Sequence, residues 1–193
     1  MRTALISGIL LCSASVMAQR IDFNISNQSK TTTEENFQPW EVGRVESDIQ
    51  TFTADDGSAV TIKVEAVTAT GYAGNAVYCN WWKDGAKTKN QLLGDAIYPI
   101  ILEDGNFSAS TDSPMGLRFT ISGLAEGVHS LCAYHNNTDG KTAPGSPKVK
   151  VLVDGVTAAE GVEQTIRQES NSLSGMSYIQ FNAVKDRDVV VEY

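Results

Sequence analysis

The chain has 193 residues, a formal net charge of −8, 20% charged residues and 41% hydrophobic ones. That excess of acid repels phosphate backbones and anionic bilayers, so nucleic acid and membrane surfaces are excluded as partners of first choice. The length suits one domain.

Residues 1–18 read as a secretory signal peptide. Arg2 gives a positive start, Ala4 to Val16 an apolar core too short to span a bilayer easily, and Val16-Met17-Ala18 a small-residue cleavage site. Cleavage is expected after Ala18, leaving 19–193 as a single domain with a net charge of about −9. Leu11 stands before Cys12, where a bacterial lipoprotein signal carries Gly or Ala, so no lipid is expected on Cys12. Export places the mature chain outside the cytoplasm, whether secreted, periplasmic or on the cell surface. No later apolar run reaches transmembrane length.

The mature chain reads as a succession of short strands. Candidates are Arg20 to Ile25, Ile49 to Ala54, Val60 to Val67, Ala76 to Trp82 and Ala96 to Leu102. Between the first two lie a polar surface loop from Asn27 to Asn36 and an ordered loop holding Gln38-Pro39-Trp40. The most telling stretch spans residues 117–155. Leu117, Phe119 and Ile121 alternate with Arg118, Thr120 and Ser122; Val128 to Tyr134 is more apolar; Val149, Val151 and Val153 alternate again before Asp154-Gly155. Val162 to Gln168, Tyr178 to Ala183 and Val189 to Tyr193 complete the set. Turn signals separate them, including Asp55-Asp56-Gly57-Ser58, Asp84-Gly85 and Asp139-Gly140. Helical periodicity is absent after the leader. The expected fold is all-β: a two-sheet antiparallel β-sandwich, jelly-roll-like.

Cys79 and Cys132 fall in predicted strands. An exported chain permits a disulfide between them; two buried thiols packed as small apolar groups is the plainer alternative.

Catalytic signatures are sparse. The two histidines, His129 and His135, stand six apart, which on a strand puts both rings on one face about 20 Å apart, too far for one metal. A Gly-x-Ser-x-Gly elbow is absent. No cofactor is expected. A structural calcium is compatible with an exported sandwich, and Asp22, Asp104, Asp112 and Glu192 are available without EF-hand spacing.

Aromatic residues at strand ends are more suggestive. Trp81-Trp82-Lys83-Asp84-Gly85 ends a strand, and adjacent tryptophans on a strand point to opposite faces. An exposed indole suits the C–H face of a pyranose, with Lys83 beside it for hydroxyl groups. Tyr134-His135-Asn136 also ends a strand, offering a ring and directional polar groups. The alternatives are packing for the tryptophans and satisfaction of neighbouring backbone groups for His135 and Asn136.

Several of these segments together resemble a known family: Ile21-Asp22-Phe23-Asn24, Gln38-Pro39-Trp40, Trp82-Lys83-Asp84-Gly85, Ile121-Ser122-Gly123-Leu124 through Gly127 to Leu131, Tyr134-His135-Asn136 and Val151 to Gly155. The mature chain is similar, over nearly its whole length, to the N-terminal accessory domain of Bacteroidetes-type pectate lyases and rhamnogalacturonan lyases, in the malectin-like, galactose-binding-like group. The resemblance implies a jelly-roll-like module attached to a pectin-degrading enzyme. Those lyases carry catalysis on a separate β-helix, so no catalytic residue transfers to this sequence. Three functions follow in order of preference: a carbohydrate-binding accessory module for pectin-type polysaccharide, a structural domain that packs on a catalytic lyase domain, and a small hydrolase or lyase in its own right.

Overall fold

The computed structural model describes residues 6–13, 18–25, 33–53, 57–68, 75–81, 92–93, 95–103, 106–108, 115–137 and 148–193. Among them every regular element is a strand except one 3-10 turn at Asn171–Leu173. In chain order the strands are β1 (Gly8–Ser13), β2 (Ala18–Ile25), β3 (Gln38–Val42), β4 (Ser47–Thr53), β5 (Ala59–Thr68), β6 (Asn75–Trp81), β7 (Asp95–Glu103), β8 (Asn106–Ser108), β9 (Met115–Ser122), β10 (Gly127–Asn137), β11 (Val149–Val153), β12 (Val156–Val162), β13 (Thr165–Ile166), β14 (Gly175–Ala183) and β15 (Val189–Glu192).

Two six-stranded sheets face one another. The first runs β13-β10-β1-β2-β3, with β14 also paired to β10; the second runs β12-β11-β15-β9-β5-β4. A three-stranded sheet, β6-β7-β8, adds Val77, Cys79 and Ile97 to the same core. The expected all-β sandwich is therefore what the chain forms. It is not antiparallel throughout: β2 pairs β3, and β10 pairs β13, in parallel. The stretch between β2 and β3 is long enough for the crossover that parallel strands need.

The alternation read in the sequence makes the core. Val60, Ile62 and Val64 of β5, Leu117, Phe119 and Ile121 of β9, and Val189 and Val191 of β15 point inward from the second sheet. Ile21 and Phe23 of β2, Leu131 and Ala133 of β10, and Ile179 and Phe181 of β14 meet them from the first. Aromatic rings cross the interior in a relay of neighbours: Phe52 to Trp40 at 5.4 Å, Trp40 to Phe23 at 5.4 Å, Phe23 to Phe119 at 6.2 Å, Phe119 to Tyr193 at 5.8 Å and Tyr193 to His135 at 5.7 Å. The tilted and edge-on geometries match the quadrupole preference of aromatic pairs. Side-chain amides also stitch the two sheets at one border: Gln38 Nε2 donates to the Thr53 carbonyl at 2.9 Å and Gln50 Nε2 to that of Pro39 at 3.0 Å.

Two elements depart from the sequence reading. Trp40, expected in a loop, lies fully buried in β3, and β3 is the border strand of its sheet, where Pro39 needs no ladder donor. Residues 8–13, expected outside the fold, form β1 in the middle of the first sheet, between β2 and β10. An apolar run of that length reads equally as a leader core and as a strand buried on both faces.

The Asp154-Gly155 turn forms as expected. Asp154 at φ 48° and Gly155 at φ 78° make the left-handed pair that a two-residue hairpin requires, joining β11 to β12. Val162 to Gln168 is not one strand: β12 ends at Val162 and β13 covers two residues only. At Gly175, the first residue of β14, a Cβ would fall on the Glu163 carbonyl oxygen and 3.1 Å from that of His135. Both obstacles are backbone, so Gly175→Val should cost about 2–3 kcal/mol, measured as a lower denaturant midpoint at unchanged m-value.

Candidate functional site

Pleating divides β10 and β14 into two faces. Leu131, Ala133 and His135 face inward on β10, as do Ser177, Ile179, Phe181 and Ala183 on β14, and all are buried. Ser130, Cys132 and Tyr134 lie on the other face of β10, beside Met176, Tyr178, Gln180 and Asn182 of β14. Tyr178 is 57% exposed, yet its hydroxyl is held on both sides: it lies 2.9 Å from Ser130 Oγ and accepts from Gln180 Nε2 at 3.1 Å. The phenol is thus oriented by its own neighbours while its ring stays open to solvent. Met176, 50% exposed, precedes it on the same face, and Asn182 follows. Sequence reasoning passed over Tyr178, although the alternation of Ile179, Phe181 and Ala183 inward already put it outward.

The sequence-predicted residues divide. Tyr134 is half-buried, and its phenol is pushed above the ordinary range first by burial, then by Cys132 and the Glu34 carboxylate. His135 and Asn136 are fully buried, which corrects the expectation that they face a sugar. Asn136 Nδ2 donates to the Leu93 and Gln168 carbonyls at 2.9 and 3.1 Å, while its Oδ1 accepts from Gln168 N at 2.9 Å and Thr165 Oγ1 at 3.2 Å. The amide ties 92–93 and 165–168 to the end of β10, the backbone-satisfying alternative. Trp81 closes β6, but its side chain, like Trp82 and Lys83, lies outside the described residues. The same holds for Asp104, Asp112, the Asp84-Gly85 and Asp139-Gly140 turns and most of the Asn27 to Asn36 loop.

Cys79 and Cys132 are buried and neither is in a disulfide. The physical reason is facing: Cys79 belongs to the core, whereas Cys132 shares the outward face of β10 with Ser130 and Tyr134. The two histidines do share one face, as the spacing required, and it is the inward one. His129 Nε2 lies 2.7 Å from the Ala125 carbonyl and its ring stacks on Phe181 at 5.9 Å. His135 Nε2 lies 2.9 Å from Ser177 Oγ. A Ser–His pair at that distance has the reach of a nucleophile and base, but Ser177 is 2% and His135 0% exposed. A scissile bond cannot approach it; the pair satisfies two polar groups inside the sandwich.

Electrostatics set the remaining boundaries. Asp22, on the outward face of β2, is fully buried; its Oδ2 accepts from Glu34 N at 2.7 Å and its Oδ1 has no partner. Burial, with a smaller contribution from the Glu34 charge, pushes its pKa up to about 8, against the lowering effect of the backbone hydrogen bond. On the wet face of the second sheet, Glu65, Arg118 and Glu192 lie side by side across β5, β9 and β15. Arg118 reaches Glu65 at 3.3 Å and Glu192 at 2.7 Å, and Lys63 reaches Glu65 at 2.6 Å. The Lys63 hydrogen bond, more than the Arg118 charge, holds the Glu65 carboxyl below its usual range. These cations are neutralised in place and do not form a landing site for an anionic polymer. A groove of about 580 Å³ between the β9–β10 and β14–β15 connections mixes Glu126, Asp186 and Asp188 with Lys185 and Arg187. Among the described residues no group of three or more His, Cys, Asp or Glu could hold a metal, and no helix is long and apolar enough to cross a membrane.

Neither a family model, a curated protein nor a solved structure matches the chain.

Proposed function

We propose that the chain is an exported, non-catalytic carbohydrate-binding module of a polysaccharide-degrading system, with neutral sugars of pectin-type glycans as its ligands. One observation carries the reading: Tyr178 presents an open, pre-oriented ring amid hydroxyl and amide groups, with no Lys or Arg on that face of β10 or β14; Arg20 of β2 stands three strands along the same row. A ring fixed before binding loses little entropy when a pyranose stacks on it. Amides and hydroxyls match sugar hydroxyls, whereas galacturonate carboxylates call for cations. The overall acid excess favours the neutral sugar further.

Calorimetry against galactan, rhamnogalacturonan and homogalacturonan tests this. Binding is expected to galactan in preference to homogalacturonan. Tyr178→Ala should weaken it about tenfold, in line with ~1.4 kcal/mol for a lost stacking contact. Because Tyr178 is exposed, its removal should move stability by less than ~0.5 kcal/mol. Absence of binding to all three polymers, or affinity indifferent to Tyr178, sinks the reading, and release of unsaturated uronides would refute the non-catalytic part.

A second reading has its own support. Met176, Tyr178 and Val128 are each about half exposed on the same face of β14 and β10, an apolar surface that could pack on a catalytic lyase domain. In that case Met176→Lys weakens association with that domain and leaves glycan affinity at zero.

A further inference from the structure

β1 fills a defined slot. It pairs antiparallel with β10 from Gly8↔Tyr134 to Ser13↔His129, and with β2 from Gly8↔Asp22 to Cys12↔Ala18. Ser7 N donates to the Tyr134 carbonyl at 2.8 Å, and Ile6 exchanges both backbone bonds with Ile97 of β7, at 3.3 and 3.1 Å. Ile6, Ile9 and Leu11 enter the core, none more than 1% exposed. At Gly8 a Cβ would meet Leu92 Cδ1 and lie 3.1 Å from the Ile21 carbonyl oxygen, so a larger residue there requires Leu92 to swing aside and the Ile21 carbonyl to give by a few tenths of an ångström.

The same residues carry the marks of a cleaved leader. We propose that processing after Ala18 empties this slot and that the mature chain takes up, in trans, an extended segment of a partner protein. That segment has apolar residues where Ile6, Ile9 and Leu11 stand and glycine where Gly8 stands. The inference rests on the leader reading and is independent of sugar binding. Loss of β1 leaves β2 and β10 about 9.5 Å apart, two strand spacings, each with a row of unpaired backbone groups. Closure of the gap is opposed from both flanks. β10 is anchored by β14 over its register from Gly127↔Ala183 to His135↔Gly175. β2 is anchored by β3 and by Phe23, whose ring sits 5.4 Å from Trp40 and 6.2 Å from Phe119. Sliding β2 by one strand would pull Phe23 out of that relay and leave the Ile9 and Leu11 pockets unfilled. Strand addition instead restores both ladders and the apolar floor.

The first measurement is the mass of the exported protein: an N-terminus at Gln19 is expected, and a chain retaining residues 6–13 overturns the proposal. The second is amide hydrogen exchange along β2 and β10 of that mature protein, with a synthetic peptide of residues 6–13 carrying Cys12→Ser. Exchange should be fast without peptide and slow roughly a hundredfold at ~100 times Kd. The same peptide with Gly8→Leu should bind about tenfold or more weakly, through overpacking against Leu92 and the Ile21 carbonyl. Slow exchange before any peptide is added, whether from closure or from a second copy in the slot, overturns the proposal, as does equal protection by both peptides. If the mature chain does not fold alone, the full chain, made without export and given a protease site between β1 and β2, is cut after folding. Labelled peptide should then replace the cut strand, and failure to exchange counts against the proposal.

Discussion

Asp22→Asn is expected to stabilise the protein at pH 8 by a few kcal/mol and to remove most of a pH dependence between pH 4 and pH 8. In the folded chain the carboxyl titrates near 8; in the unfolded chain it titrates near ~3.9. Between those values the folded state binds the extra proton, so stability falls as pH rises. The stabilisation is fully present below about pH 4 and is lost as pH rises through the folded value. The gap between the two values corresponds to about 5 kcal/mol as an upper bound. Asparagine keeps an acceptor for the Glu34 amide hydrogen and has no proton to lose. Chemical denaturation at pH 5, 6.5 and 8 measures it; parallel slopes for the native protein and the variant would show that Asp22 does not titrate in this window.

Trp40→Ala should have an effect of comparable size in the opposite direction, and at every pH. The indole is buried between Phe23 and Phe52, at 5.4 Å from each. Truncating such a residue costs about 3–5 kcal/mol through lost transfer energy and the cavity left behind. For a chain of this size that lowers the melting temperature by roughly 10–15 °C. The indole Nε1 has no hydrogen-bond partner, so Trp40→Phe, which removes that buried polar group, should recover more than half of the loss. A melting temperature within ~2 °C of the native value for Trp40→Ala would mean that β3 is not a core strand.

The strands legible in the sequence were those with one wet and one dry face. β5, β9, β11 and β14 announce themselves by alternation, because each is covered on one side only. β12 escapes that rule: nearly all of its residues are exposed or half-exposed, so no period develops. β1 escapes it for the opposite reason, since apolar residues on both faces make a central strand indistinguishable from a leader. The site was harder. Ser177 and His135 are 42 residues apart and meet only because β14 lies along β10. Asn136 and Tyr178 are both polar side chains on strands. Topology alone buries the first beneath residues 92–93 and leaves the second in solvent.

Neither Cys79 nor Cys132 forms a bridge, and both thiols are shielded by the strands around them. Through these two residues, cohesion rests on packing and ladder bonds and draws nothing from oxidation. The polypeptide should therefore reach its native form in the reducing cytosol of a production host. Its melting curve should not depend on dithiothreitol through Cys79 or Cys132, and with β1 in place alkylating reagents should reach these two thiols only after unfolding.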